Sequence, residues 1–240
     1  MAAWRLAQAL LLALAGWCTI VFVFPRLDQA ARDERVQAWA RAMLRRLGVD
    51  LQVQGTPPAG GPLLLVANHI SWLDILVLHA ARHCRFVAKA DIHRWPLIGT
   101  LATGGGTLYI ERTSRRDAMR VVHRMVAALQ AGEILAVFPE GTTSEGRDLL
   151  PFHSNLIQAA VASGAPVQPV ALQFVDARGA MSLAPCYVGD DTLLGSVWRT
   201  LSGGRLTAVV RYGAPETAAG RDRRAWAADL RGRVQALRDP

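Results

Sequence analysis

The chain has 240 residues, half of them hydrophobic, with a formal charge of +8, a pI near 10.6 and a mean hydropathy of +0.19. That length admits one substantial domain plus an anchor, and the charge suits an anionic membrane surface; nucleic acid has the charge alone in its favour, without a recognition motif, and is set aside. Cys18, Cys84 and Cys186 are odd in number and far apart, which excludes a disulfide framework or zinc knuckle and fits a reducing cytosolic setting.

Residues 6–24 are apolar apart from Gln8 and Thr19, about 28 Å as a helix and just enough to cross a bilayer. Trp4 and Trp17 suit interfacial positions, and Pro25-Arg26 ends the run. A signal peptide competes, because Arg5 precedes an apolar stretch containing Ala13-Leu14-Ala15. Cleavage there would leave a strongly apolar new terminus, so residues 1–26 are read as an uncleaved membrane anchor. Arg26, Arg32, Arg35, Arg41, Arg45 and Arg46 follow it, against Arg5 alone before it. This asymmetry predicts an inner-membrane protein with its main domain on the cytoplasmic side.

Residues 27–54 are expected as an amphipathic interfacial segment. Val36, Trp39, Ala40, Met43, Leu44 and Leu47 share one helical face with arginines opposite, and Gly48 suits the stop. Such a helix can lie on the membrane or pack its stripe onto the domain, and the pattern alone leaves both open. A Pro- and Gly-rich loop, 55–62, opens the main domain, residues 55–240.

From residue 63 apolar runs at 63–67, 86–88, 107–110, 134–138, 167–174 and 206–212 read as strands. Helices are predicted over 71–82, 114–131, 153–163 and 221–237. The second of these has Ala118, Val121, Val122, Met125, Val126 and Leu129 on one face, a Ser114/Asp117 cap and Gly132 at its end. The alternation predicts an α/β fold with a mixed, largely parallel sheet flanked by helices.

Three constellations follow strand ends. In Asn68-His69-Ile70-Ser71-Trp72-Leu73-Asp74 a strand-to-helix bend can bring Asp74 onto one imidazole nitrogen of His69, as a general base requires. The same residues also fit an ordinary helix cap, Ser71-x-x-Asp74, with the acid favoured near a helix N-terminus. Gly104-Gly105-Gly106 leads to Glu111-Arg112, where a guanidinium can fork onto a phosphate or simply be solvated. No P-loop lysine or G-x-G-x-x-G follows, so the glycines are read as a turn. In Phe138-Pro139-Glu140-Gly141-Thr142 the acid can orient an acceptor or hold the site's arginine, while Gly141 allows close approach. His79, His83 and Cys84 lack further ligands, so no metal is expected.

Four ordered blocks over roughly residues 60–175 together resemble the glycerol-phosphate and lysophosphatidic acid acyltransferases. They are Asn68-His69-x-x-x-x-Asp74, Gly106-x-x-Tyr109-Ile110-Glu111-Arg112, Phe138-Pro139-Glu140-Gly141-Thr142, and Ala165-Pro166-Val167-Gln168-Pro169-Val170. The resemblance implies a catalytic pair, His69 as general base and Asp74 orienting it. It implies an acceptor site from Asn68, Lys89, Arg112, Glu140, Gly141 and Thr142, with Lys89, the sole lysine, and Arg112 on a phosphate. The fourth block would be structural or line the acyl pocket. The implied reaction moves an acyl chain from acyl-CoA or acyl-carrier protein to 1-acylglycerol-3-phosphate, giving phosphatidic acid, with no other cofactor. The partners are a lysophospholipid acceptor, the thioester donor and the membrane.

Two departures stand out. Thr143 replaces the family's usual arginine, and Phe152-His153-Ser154-Asn155 replaces Phe-Lys-x-Gly. The run Thr142-Thr143-Ser144-Glu145-Gly146 with Leu149-Leu150-Pro151-Phe152 also resembles superfamily members that use lyso-ornithine lipid, an alternative acceptor. A lysophospholipid hydrolase and a non-catalytic lipid-binding protein are the remaining rivals. The chain has no G-x-S-x-G elbow, so direct transfer is expected.

Overall fold

The structure, a computed structural model, describes residues 1–110 and 115–239. Its strands are β1 Val49–Gln54, β2 Leu63–Ala67, β3 Arg85–Lys89, β4 Leu108–Ile110, β5 Ile134–Val137, β6 Val167–Asp176 and β7 Leu206–Tyr212. They form a sheet in the order β1-β7-β6-β2-β5-β3-β4. β6, β2, β5, β3 and β4 run parallel, while β7 is antiparallel to β6 and carries β1 parallel to itself.

The continuous apolar run of β2 is explained by cover on both faces. Alternate side chains diverge: Leu63, Leu65 and Ala67 join one core, Leu64 and Val66 the other. The first core is closed by α2 Gln29–Leu47 and α3 Leu73–Ala81. The second is closed by α5 Arg115–Gln130, α6 Gln158–Ser163 and α8 Arg223–Arg238. Pro169 lies within β6, level with Val66, so the proline-rich block is built into the sheet beside β2.

The N-terminal helix α1, Ala2–Cys18, folds back on α2 as an antiparallel hairpin. Trp39 Nε1 donates to the Leu12 carbonyl at 3.0 Å, and a Cβ at Gly16 would lie 2.6 Å from that indole nitrogen. The two helices therefore approach where the chain supplies a glycine. The α2 stripe of Ala40, Met43, Leu44 and Leu47 is buried on the domain, against α3. Gln37 and Arg41 of α2 donate to the Ala81 and Ala80 carbonyls at the end of α3, at 2.9 and 2.8 Å. The outer side of α1 and its continuation exposes Trp4, Leu10, Leu11, Leu14, Val21 and Phe22. By length and composition Ala2–Arg26 is apolar enough to cross a membrane.

Some expectations shift. The segment 27–54 is helical only to Leu47, and Val49–Gln54 is strand β1, paired with β7. The helix expected over 153–163 begins at Gln158, because the His153 N–H bonds the Pro139 carbonyl at 2.8 Å. Two helices, α4 Ile98–Gly104 and α7 Leu193–Ser202, were not anticipated. Ser114 of the expected helix cap lies outside the described residues.

Candidate active site

Parallel pairing brings the C-terminal ends of β2, β5, β3 and β4 to one edge, the usual place for a ligand in such sheets. His69 follows β2. Its Nδ1 lies 2.8 Å from Asp74 Oδ2, which also accepts the Ile70 and Ser71 N–H groups at 2.7 and 2.9 Å. Asp74 is fully buried. An oxygen that accepts two backbone protons leaves Nδ1 as the third donor, so Nε2 carries the free lone pair. No described residue bonds Nε2, and the His69 side chain keeps 21% of its surface open. The ring stacks on Phe138, with centroids 4.0 Å apart and planes inclined by 8°. The imidazole is thus fixed at Nδ1 and partly open, the arrangement a general base requires.

The capping reading is also fulfilled in part. Asp74 reaches back to the Ser71 N–H, while Ser71 Oγ accepts from Leu73 N at 3.2 Å and donates to the Pro185 carbonyl. One carboxylate thus closes the helix start and holds the imidazole.

Glu140 was expected to orient an acceptor or hold the site's arginine. In the structure it is buried, with Oε1 accepting the His69 N–H at 2.7 Å and Oε2 the Leu150 N–H at 2.9 Å. It fixes the backbone of the histidine rather than presenting a charge outward. Burial raises its pKa, opposed by those two N–H donors and by the positive potential of His69 and Arg238. Asn68 is likewise engaged by backbone. Its amide is buried, donating to the Leu172 carbonyl at 3.0 Å and accepting the Leu172 N–H at 2.7 Å, so it ties the end of β2 to β6.

Gly141 has φ of 74°, a left-handed conformation that favours glycine, and a Cβ there would sit 3.1 Å from the His153 ring. Thr142 is exposed beside it. Thr143, standing where an arginine was expected, donates Oγ1 to the Tyr187 carbonyl. Lys89 is exposed at the end of β3, level with Ile110 of β4. In the sheet order it stands two strands from β2, about 10 Å away. Arg112 lies outside the described residues.

Several contributors carry no sequence signal. Arg231 on α8 donates to the Leu149 and Leu150 carbonyls, and Arg238 to those of Gly146 and Arg147. They hold the loop whose Leu150 N–H binds Glu140. The segment 185–187 straps the histidine turn through the Ser71–Pro185 bond and the Tyr187 N–H on the Ile70 carbonyl at 3.1 Å. Away from this edge, His79 and His83 stack 5.1 Å apart, and His83 Nε2 faces Asp33 at 3.2 Å. Burial pushes the Cys84 thiol far up and that of Cys186 to about 11, which keeps both from acting as thiolates.

The acyltransferase family model matches residues 49–173, from β1 into β6. A lyso-ornithine lipid O-acyltransferase of Pseudomonas aeruginosa is 38% identical over 216 residues, covering 90% of this chain and 83% of that protein. A 1-acyl-sn-glycerol-3-phosphate acyltransferase of Neisseria gonorrhoeae is 38% identical over 184 residues, covering 76% and 71%. The crystal structure of the 1-acyl-sn-glycerophosphate acyltransferase of Thermotoga maritima covers 98% of both chains with a TM-score of 0.63 at 20% identity, which shows the shared fold.

Proposed function

The chain belongs to the acyltransferase family, and from that premise we propose direct acyl transfer from a thioester donor to the free hydroxyl of a lysophospholipid. The observation that carries it is the His69–Asp74 pair at the sheet edge, with Nε2 unbonded by any described serine or cysteine. Nε2 takes the hydroxyl proton as the oxygen attacks the thioester carbonyl. The C–O ester bond forms, the C–S bond breaks, and the imidazolium returns its proton to the departing thiolate. Asp74 stabilises the charged ring throughout.

The acceptor in this reading is 1-acylglycerol-3-phosphate and the product phosphatidic acid, with Lys89 and Arg112 on the phosphate. Acyl-CoA or acyl-carrier protein is the donor, and no bound cofactor is required. One observation favours a second acceptor, lyso-ornithine lipid: the position of the usual arginine is held by Thr143, whose hydroxyl is engaged by Tyr187.

The chain works at the inner membrane from its cytoplasmic side. α1 seats in one leaflet rather than crossing, because it packs along α2. Upright in the bilayer, it would draw the charged side of α2, including Arg35 and Arg41, toward the hydrocarbon, at about 2.5–3.5 kcal/mol or more per charge.

The test uses purified protein with labelled thioester, offering lysophosphatidic acid and lyso-ornithine lipid separately, with His69→Ala beside each. His69-dependent formation of phosphatidic acid is expected. Acylation of the phosphate-free acceptor alone would overturn the head group, and activity retained by His69→Ala would overturn the mechanism.

A further inference from the structure

Helix α7 exposes two large apolar side chains one turn apart, Leu194 at 68% and Trp198 at 49%. They lie on one face; Ser196 and Thr200 on the opposite side are buried, and Leu201, one turn beyond Trp198, is buried at the end of the helix. Spacing of i and i+4 makes this a stripe rather than two scattered residues. The helix carries no acidic residue, and it packs directly against α1. α1 and α7 therefore adjoin on the side of the sheet closed by α2 and α3, each with exposed apolar side chains. Near the start of α1 lies an open groove lined by Arg5, Arg45 and Arg205, with one carboxylate, Asp50. An apolar surface with a cationic margin complements an anionic bilayer: hydrocarbon takes the side chains and phosphates face the guanidiniums.

We propose that α7 is a second membrane-contacting element, inserting Leu194 and Trp198 into the leaflet that receives α1. This rests on the membrane reading of α1 above. A tryptophan suits the depth, since its ring is apolar and its N–H reaches the interface.

The consequence for the site follows from hydrogen bonds. Ser196 of α7 accepts from Trp72 Nε1 at 3.1 Å and donates to the Cys186 carbonyl at 3.2 Å. Trp72 lies between His69 and Asp74, and Pro185 and Tyr187 are bonded to Ser71 and Ile70 of the same turn. Seating α7 in the leaflet therefore sets the height of the histidine turn above the lipids. Among the described residues, α1 has no such bonded link to that turn.

The test places a fluorophore on single cysteines in the full chain, in a Cys18→Ser background whose two remaining thiols are buried. Labels go at Leu194→Cys and Trp198→Cys, at Leu11→Cys on α1, and at Arg224→Cys on the opposite face of the sheet. Vesicles of phosphatidylcholine and phosphatidylglycerol carry brominated acyl chains as the quencher. Quenching at 194 and 198 comparable to that at 11, with 224 unquenched, is the expected result. Quenching at 11 with 194 and 198 no more quenched than 224 overturns the role of α7 and leaves the α1 anchor standing. Absence of quenching at all four positions overturns both.

Discussion

Replacing Asp74 by asparagine separates holding the imidazole from charging it. The amide oxygen can still accept from His69 Nδ1 and the two backbone N–H groups that now meet Oδ2 at 2.7–2.9 Å. The amide NH2 falls where Oδ1 is already buried without a described partner, so few bonds are lost. What disappears is the negative charge opposite the imidazolium. Unit charges about 4 Å apart at an effective dielectric of about 20 attract by about 4 kcal/mol. Part of that is retained through the neutral bond, leaving a loss of about 2–3 kcal/mol in the transition state, or roughly 30- to 150-fold in kcat. Thiol release from the thioester donor, followed in detergent with a saturating lysolipid acceptor, reads this directly, with His69→Ala as the floor. Thermal melting should move little. If Asp74→Asn folds normally and turns over within about threefold of the parent, the charge opposite His69 is not part of the rate and the reasoning fails.

Arg231→Met should loosen the 149–150 segment and, through Leu150 and Glu140, the His69 backbone. Several-fold loss in kcat at unchanged thioester KM is expected, partly restored in Arg231→Lys; an unchanged kcat would refute the coupling. Thr143→Arg restores the cation that this chain lacks, and a partly exposed charge-assisted bond of about 1 kcal/mol should raise the preference for phosphate over phosphate-free acceptors roughly fivefold. An unchanged ratio would exclude that position from head-group selection. Burial lowers the pKa of His79 from 6.5 to about 3, so below pH 6.5 the unfolded chain takes up a proton that the folded one refuses. Stability should fall as pH drops from about 6.5 toward 3, by up to about 1.4 kcal/mol per pH unit from this group. In His79→Phe, denaturant midpoints measured between pH 7.5 and 5 (about the range before general acid unfolding) should decline less steeply, and an identical slope would refute the assignment.

Local pattern carried far in this chain. The apolar β2 run ending at His69, the Asp74 five residues on and the Pro-Glu-Gly turn after β5 are features of single strand ends, and parallel pairing predicts that such ends meet. The His69–Asp74 bond formed as expected because both residues lie on one bend. What escaped was whatever depended on a distant partner. Val49–Gln54 alternates with Asp50, Gln52 and Gln54 and is stabilised as a strand by β7, more than 150 residues away. Asn68 and Glu140 are polar side chains at strand ends, placed in the acceptor site by the resemblance to the family. Their burial, and the backbone groups of Leu172, His69 and Leu150 that take their hydrogen bonds, exist only once β6 and the 150 loop are in place. Arg231 and Arg238 look like the solvated face of a C-terminal helix, and docking of α8 turns them onto the loop behind the site. Periodicity and strand-end chemistry are properties of a few neighbouring residues and so are written locally. Whether a polar group meets solvent, ligand or backbone is decided by which surfaces become buried together, and that required the tertiary fold.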